Sequence, residues 1–178
     1  MGLELRKPSC DLAESFARMR DAFVAAGDDR WGPKKNHPAT AIAHADVAAY
    51  VDLLDRWSRG IDVPAGWVPT SEFWIVDDGE VVGELGLRHH LNDWLQQVGG
   101  HIGYDVHPER RNRGIATFAL REALKIAAEM RIHQVLLTCL DDNAASISVI
   151  EKCGGTRIED ARYDGPKRRR YLMTTRAR

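Results

Sequence analysis

One stretch of this 178-residue chain gathers groups that could do chemistry together. It runs Val106-His107-Pro108-Glu109-Arg110-Arg111-Asn112-Arg113-Gly114-Ile115-Ala116. An apolar strand stops at a proline, the chain turns through three arginines, and a glycine opens a helix. The first N–H groups of a helix have no internal partner, and the macrodipole places about half a positive charge there. Such an end binds phosphate where small residues let an anion reach the backbone. Gly114 and Ala116 are small at the right positions, and Arg110, Arg111 and Arg113 add charge. The turn therefore predicts a polyphosphate site, with a solvated basic helix start as the competing reading. There is no G-x-x-x-x-G-K-S/T and no G-x-G-x-x-G after a strand, so the P-loop and the dinucleotide fingerprint are both excluded.

Other side chains compete for attention. Glu84, in Gly83-Glu84-Leu85-Gly86, could accept a proton directly or through water if it faces a cleft. Strand alternation sets it opposite Leu85, which permits that, and a solvent-facing position stays open. Tyr104 is either a packed strand aromatic or a proton donor. His89, His90 and His101 do not predict a metal site. Adjacent strand residues point to opposite faces, and no clustered cysteine or carboxylate completes a coordination sphere. Cys139, in an apolar run, reads as a small hydrophobe. Lys167-Arg168-Arg169-Arg170 sits at a turn entering a terminal strand and reads as solvated edge protection.

These residues need elements to hold them. Leu3–Arg6 alternates as a short strand. Leu12, Phe16, Met19 and Phe23 form a helical stripe, with Asp11 and Glu14 resembling a capping box and Gly27 as a stop. Residues 28–39 read as a loop. A second helix carries Val47, Tyr50, Val51, Leu54 and Trp57 on one face, closed by Gly60. Phe73–Val76 and Glu80–Leu87 flank Asp77-Asp78-Gly79 as a hairpin. His89–Gly100 is polar and irregular, and His101–Val106 is a strand. A long helix follows with Ala116, Leu120, Ala123, Leu124 and Ala127 on its apolar face. Val135–Leu140 is a buried strand, and the helix before it suits a βαβ crossover. Asp142-Asn143 caps a short helix carrying Ile147 and Ile150. Thr156–Tyr163 and Arg170–Thr175 are predicted as final strands. The order predicts an α/β single domain, a mixed sheet with helices on its faces.

Composition sets limits. At 178 residues, with 25 basic and 26 acidic side chains, the chain suits one domain with its own core and carries a net charge of −1. No basic excess points to nucleic acid, and an RNA-interacting role rests on the arginine clusters alone. No apolar run is long enough to span a membrane, and no signal core opens the chain. Cys10, Cys139 and Cys153 are odd in number and widely spaced, which suits free thiols in a reducing compartment. A cytoplasmic protein is expected.

Two segments together resemble a known family. Val106-x-Pro108-x-x-Arg111-x-x-Gly114-x-Ala116 is similar to the acyl-CoA pyrophosphate loop of the GNAT acetyltransferases, R/Q-x-x-G-x-G/A. Downstream, Asn143-x-x-Ser146-x-x-Val149-Ile150-x-Lys152-x-Gly154 resembles the family's N-x-x-A-x-x-L-Y-x-K-x-G. The likeness runs from about residue 70 to the C-terminus. Leu87–Tyr104 further resembles a bacterial branch of predicted acetyltransferases.

The resemblance implies a GNAT-like domain over 1–178. Residues 1–70 would shape the acceptor site, and 71–178 would form the acetyl-CoA core, its sheet opened between two splayed parallel strands. It implies transfer of acetyl from acetyl-CoA to a primary amine of a small molecule or peptide, directly, in a ternary complex and without a metal. Tyr104 and Val106 would meet pantetheine; Arg111, Asn112, Arg113, Gly114, Ile115 and Ala116 would wrap the pyrophosphate; Asn143 and Ser146 would hold the far side. An ammonium of pKa about 10.4 has no lone pair to attack with, so a base is required, and Glu84 is the candidate. The developing oxyanion needs a fixed donor. The family's proton donor to the leaving thiolate is replaced here by Ile150, so Tyr104 or solvent must serve. A non-catalytic acyl-CoA-binding module is the alternative. Either a monomer or a homodimer is expected.

Overall fold

The structure, a computed structural model, describes residues 2–27 and 38–175. In chain order they form β1 (Leu3–Arg6), a 3-10 turn (Cys10–Leu12), α1 (Ala13–Ala25), α2 (Pro38–Ala45), α3 (Val47–Ser58), β2 (Thr70–Asp77) and β3 (Glu80–Arg88). A π-helical turn (Leu95–Gly99), β4 (Ile102–Val106), α4 (Ile115–Glu129), β5 (Gln134–Leu140), α5 (Ala144–Lys152), β6 (Thr156–Arg157) and β7 (Arg168–Thr174) complete them. The strands make two sheets, β1-β2-β3-β4 and β5-β7-β6, and every ladder among the described residues is antiparallel. This is the α/β domain with flanking helices that the sequence predicts.

The two sheets meet at one place. His101 N–H donates to Leu136 O at 2.7 Å, and Leu136 N–H donates back to His101 Nδ1 at 3.0 Å. Gly100, just before, has φ 64, and a Cβ there would stand 2.6 Å from Leu136 O, so only glycine lets the chain pass so close to β5. Thr138 Oγ1 also donates to Val98 O. Beyond this junction β4 and β5 form no ladder, so the sheet opens toward the ends of both strands.

Each face of the first sheet has its own core. On one side Phe16 stacks on Trp74 at 4.6 Å and on Tyr50 at 5.4 Å, joined by Phe23, Leu54 and Trp57. On the other side Leu85 and Leu87 meet α4, whose Ala119, Ala123 and Ala127 are fully buried, with Val135, Leu137 and Tyr171 closing from the second sheet. Small residues on the inner face of α4 let its backbone approach both sheets. Ser15, buried on α1, donates to Glu80 Oε2 at 2.7 Å and accepts from Val81 N–H at 2.8 Å, pinning α1 to the β2–β3 hairpin. Arg20 crosses to α2, where its Nη1 donates to Ala43 O at 2.7 Å.

Several expectations need correction. The N-terminal part holds three described helices rather than two. Residues 28–37 of the expected 28–39 loop lie outside the described residues, while Pro38 and Ala39 already belong to α2. Asp11 does not cap α1; it bonds Arg6 at 3.0 Å, and the helix starts without a side-chain cap. β2 begins three residues earlier than predicted, at Thr70, because pairing with β3 extends it through polar positions. The strand expected over 156–163 spans only Thr156–Arg157. Asp160 and Arg162 turn instead to local ion pairs with Arg157 and Glu159. The basic run does not guard an edge, since β7 is the central strand of its sheet and Arg169 Nε donates to Asp141 at 2.6 Å.

Candidate active site

The predicted phosphate turn is present as a built structure. Pro108–Arg110 makes a 3-10 turn, and His107 Nδ1 accepts from Glu109 N–H at 3.2 Å. Asn112 and Gly114 both adopt left-handed φ, 63 and 79, which curls the chain before Ile115 enters α4. A Cβ on Gly114 would meet nothing within 4 Å, so the space above this helix start is open. Arg111, Asn112, Arg113 and Gly114 are exposed, Ala116 is partly exposed, and Ile115 is buried beneath them. Arg111 does not simply reach outward: its Nε donates to Val106 O at 3.2 Å, fixing the turn to the end of β4 and using one lone pair of that carbonyl.

Tyr104 lies on the opened side. Its hydroxyl is buried and forms no hydrogen bond within good geometry. Burial pushes its pKa up to about 12; the Ser146 hydroxyl nearby pulls it back only in part, and the Cys139 and Cys153 thiols add to the rise. Asn143 caps α5, its Oδ1 accepting from Ser146 N–H at 3.0 Å. Tyr104, Asn143 and Ser146 thus converge at the gap between the sheets. Ile150 is 2% exposed and belongs to the core, so its side chain offers no donor there. These features fit a thioester coenzyme: an open cradle at Gly114, a buried orphaned hydroxyl at Tyr104, and a strand edge between them.

Glu84 stands elsewhere. It pairs with Asp105 on β4 and Trp74 on β2, and so faces α3 rather than α4. With Glu72, Arg88 and Asp105 it lines a cavity of about 550 Å³ whose walls include Tyr50 and Trp57. Glu72 is half-buried with its carboxylate against Gly86, where an added Cβ would stand 2.7 Å from Oε1. Burial pushes the Glu72 pKa up, and Arg88 opposes this. Arg88 Nη1 donates to Gly99 O at 3.1 Å and Gly100 O at 3.0 Å. The Tyr50 phenol, buried near Glu84 and Glu72, is pushed well above its ordinary value. β4 is the edge strand of its sheet, so Asp105 places part of the cavity floor on the strand that borders the gap.

The structure therefore brings Tyr104, Asn143 and Ser146 together and sets Glu84 apart on the other face. Sequence reasoning missed Glu72, Arg88, Asp105 and Tyr50. Glu72 fell outside the strand as predicted, and the pairing of Glu84 with Asp105 depends on register. His89 and His101 bond instead to Ser71 and Leu136, and no group of three or more His, Cys, Asp or Glu among the described residues could hold a metal ion. No helix among them is long and apolar enough to cross a membrane. Cys10, Cys139 and Cys153 are free thiols.

A sheet that opens beside a glycine-led helix start, with an acidic cavity on its other face, fits an acyl-coenzyme-A-dependent transferase. Residues 3–156 match the model of the acetyltransferase (GNAT) domain, and the chain belongs to that family. Its activity is that of an acetyltransferase and its co-substrate is acetyl-CoA. The match also covers the first 70 residues, where no motif is readable. A search of curated proteins finds no significant match. Among solved structures, RimJ of Mycobacterium smegmatis with CoA-disulfide superposes with TM-score 0.71 at 22% identity, over 97% of this chain and 81% of that one. A microcin self-immunity acetyltransferase, MccE, with acetyl-CoA and AMP gives 0.66 at 15%, over 97% and 92%. A ribosomal-protein alanine acetyltransferase from Vibrio fischeri gives 0.65 at 17%, again over 97% and 92%. At these identities the likeness establishes the fold.

Proposed function

We propose that this chain acetylates a primary amine of a small molecule or peptide, with both substrates bound at once. The observation that carries this reading is the parting of β4 from β5 beyond His101 and Leu136, which leaves one strand edge open between the phosphate turn and the acidic cavity. Two solved structures that share this fold have names that specify ribosomal-protein acetylation, the Vibrio fischeri protein above and RimL, a ribosomal L7/L12 alpha-N-protein acetyltransferase, which favours an α-amino group or its small-molecule equivalent.

Acetyl-CoA, when bound, supplies an acetyl group activated as a thioester. Main-chain N–H groups at Gly114, Ile115 and Ala116 hold its pyrophosphate, with Asn112 and Gly114 shaping the curl and Arg113 adding charge. Backbone groups of Tyr104–Val106 face pantetheine, and the Asn143 side-chain amide and Ser146 flank it from α5. Glu84 accepts the proton of the incoming ammonium, directly or through one water, and Asp105 shares the charge. Tyr104 donates a hydrogen bond and keeps its proton. With a pKa of about 12 it is a far weaker acid than a thiol of about 8.5, so transfer to a thiolate is uphill by on the order of 5 kcal/mol. The leaving thiolate takes its proton from solvent, at modest cost near neutral pH.

The test is thiol release from acetyl-CoA across a panel of small amines and peptides. Turnover with at least one primary amine, lost in Glu84→Gln, is expected. Release with water alone, or none with any amine, would overturn the reading.

A further inference from the structure

Acetyl transfer explains the acidic floor of the cavity but not its rim. Trp94 is 60% exposed, more than any other large apolar side chain among the described residues, and Trp67 is 44% exposed. Both line the cavity that holds Glu84 and Asp105. Two exposed indoles on the rim of one cavity, rather than scattered singly over the surface, make that rim a candidate binding surface.

The Trp67 indole and the segment that carries Trp94 are also held in place. Trp67 packs on buried Trp57 at 6.0 Å with a 41° tilt, and Trp57 Nε1 donates to Asp62 O at 3.1 Å. Asn92 Nδ2 donates to Gly66 O at 3.0 Å, tying the Trp67 loop to the Trp94 segment, and Asn92 Oδ1 accepts from Leu95 N–H at 2.9 Å. His89 N–H donates to Pro69 O at 2.9 Å and fastens the same two segments again. An aromatic rim braced this way binds a flat ring without first having to order itself.

The floor selects the other end of the ligand. Glu84 and Asp105 face each other directly across the β3–β4 ladder. Two carboxylates side by side on this floor favour a cationic group over an anionic or neutral one. On the same strand Arg88 donates to two carbonyl oxygens and faces the charge of Glu72.

We propose that the acceptor is an aromatic primary amine. Its ammonium rests on Glu84 and Asp105 and its ring lies against Trp67 and Trp94. This rests on the amine-acetylation reading. A cavity of about 550 Å³ has room for such a molecule. The same chemistry has two sources, a free arylalkylamine or a peptide whose first residue is aromatic.

The experiment measures thiol release with 2-phenylethylamine, isobutylamine, a Phe-initiated tripeptide and an Ala-initiated tripeptide. Tryptophan emission of the CoA-loaded protein is followed with the same four. An aromatic amine is expected to exceed its aliphatic counterpart about tenfold in kcat/KM, the scale of one aromatic contact with its buried area. Trp94→Ala should lower the aromatic-to-aliphatic ratio about tenfold, and Trp94→Phe should restore most of it. The better of the two aromatic compounds identifies the source. Equal turnover of aromatic and aliphatic amines, or a Trp94→Ala variant that keeps the ratio, overturns the inference and leaves acetyl transfer standing. Quenching by 2-phenylethylamine that is lost in Trp94→Ala, without thiol release from any amine, keeps the aromatic site and removes acetyl transfer.

Discussion

Glu84 and Tyr104 occupy opposite faces of the four-stranded sheet although they are one step apart in register: Tyr104 is the ladder partner of Leu85, the residue after Glu84. One faces the acceptor cavity and the other faces the gap, so they cannot act on the same proton.

This separation divides their roles. Glu84→Gln removes the proposed base and should lower kcat by about 10²–10⁴-fold, the usual contribution of a positioned general base. Tyr104→Phe removes only a hydrogen-bond donor whose phenol holds its proton up to about 12, and should cost less than about tenfold. Steady-state thiol release distinguishes them. Equal losses in the two variants would overturn the division.

The phosphate turn separates backbone from steric effects. Gly114 has φ 79 with open space where a Cβ would be, so Gly114→Ala introduces conformational strain without collision. It should lower stability by about 1–2 kcal/mol and leave a measurable thermal shift with CoA. Gly114→Glu adds a carboxylate in the anion's path and should abolish that shift. A Gly114→Glu variant that CoA still stabilises would refute the loop assignment.

Much of this was legible in the sequence because it is local. The α4 stripe, the Asn143 cap, the turn at Gly114 and the Asp78-Gly79 hairpin each depend on neighbours within a few residues, and each is present. What could not be read depends on register and on approach between distant segments. Nothing near Asp105 in sequence reveals that it faces Glu84. Glu72 lies just outside the strand read at Phe73–Val76, and pairing with β3 carries the strand through it. The closeness of Gly100 to Leu136 joins two sheets across a whole helix. Asp11 does not cap α1 because its carboxylate is taken up by Arg6 of β1, a local competition that a capping pattern does not show.

Ser15 tests how α1 is attached to the sheet. Its hydroxyl is the partner of Val81 N–H and donates to Glu80, which also pairs with Arg18 at 2.8 Å. Ser15→Ala leaves the buried N–H of Val81 unsatisfied and should cost about 1–3 kcal/mol in urea unfolding. Arg18→Ala, at an exposed pair, should cost under about 1 kcal/mol. A reversed order would mean the ion pair, not the hydroxyl, anchors α1.

Stability should fall on mild acidification. His89, His101 and His107 all have pKa values held below the ordinary 6.5, with burial the largest cause in each case. Between the native value and 6.5 the unfolded chain binds more protons than the native one, so stability rises with pH through that window and levels off above it. Glu72 acts in the opposite sense. Burial raises its pKa above the ordinary 4.5, so the native state binds the extra proton and stability falls as pH rises through the native value. Three imidazoles against one carboxyl predict a lower Tm at pH 5.5 than at pH 7.5. The drop should become shallower in His101→Asn, which loses the imidazole that accepts from Leu136 N–H at the sheet junction, and steeper in Glu72→Gln. Thermal unfolding across that pH range decides it. A wild-type Tm that stays level or rises on acidification would show that buried histidine does not set the acid sensitivity of this fold.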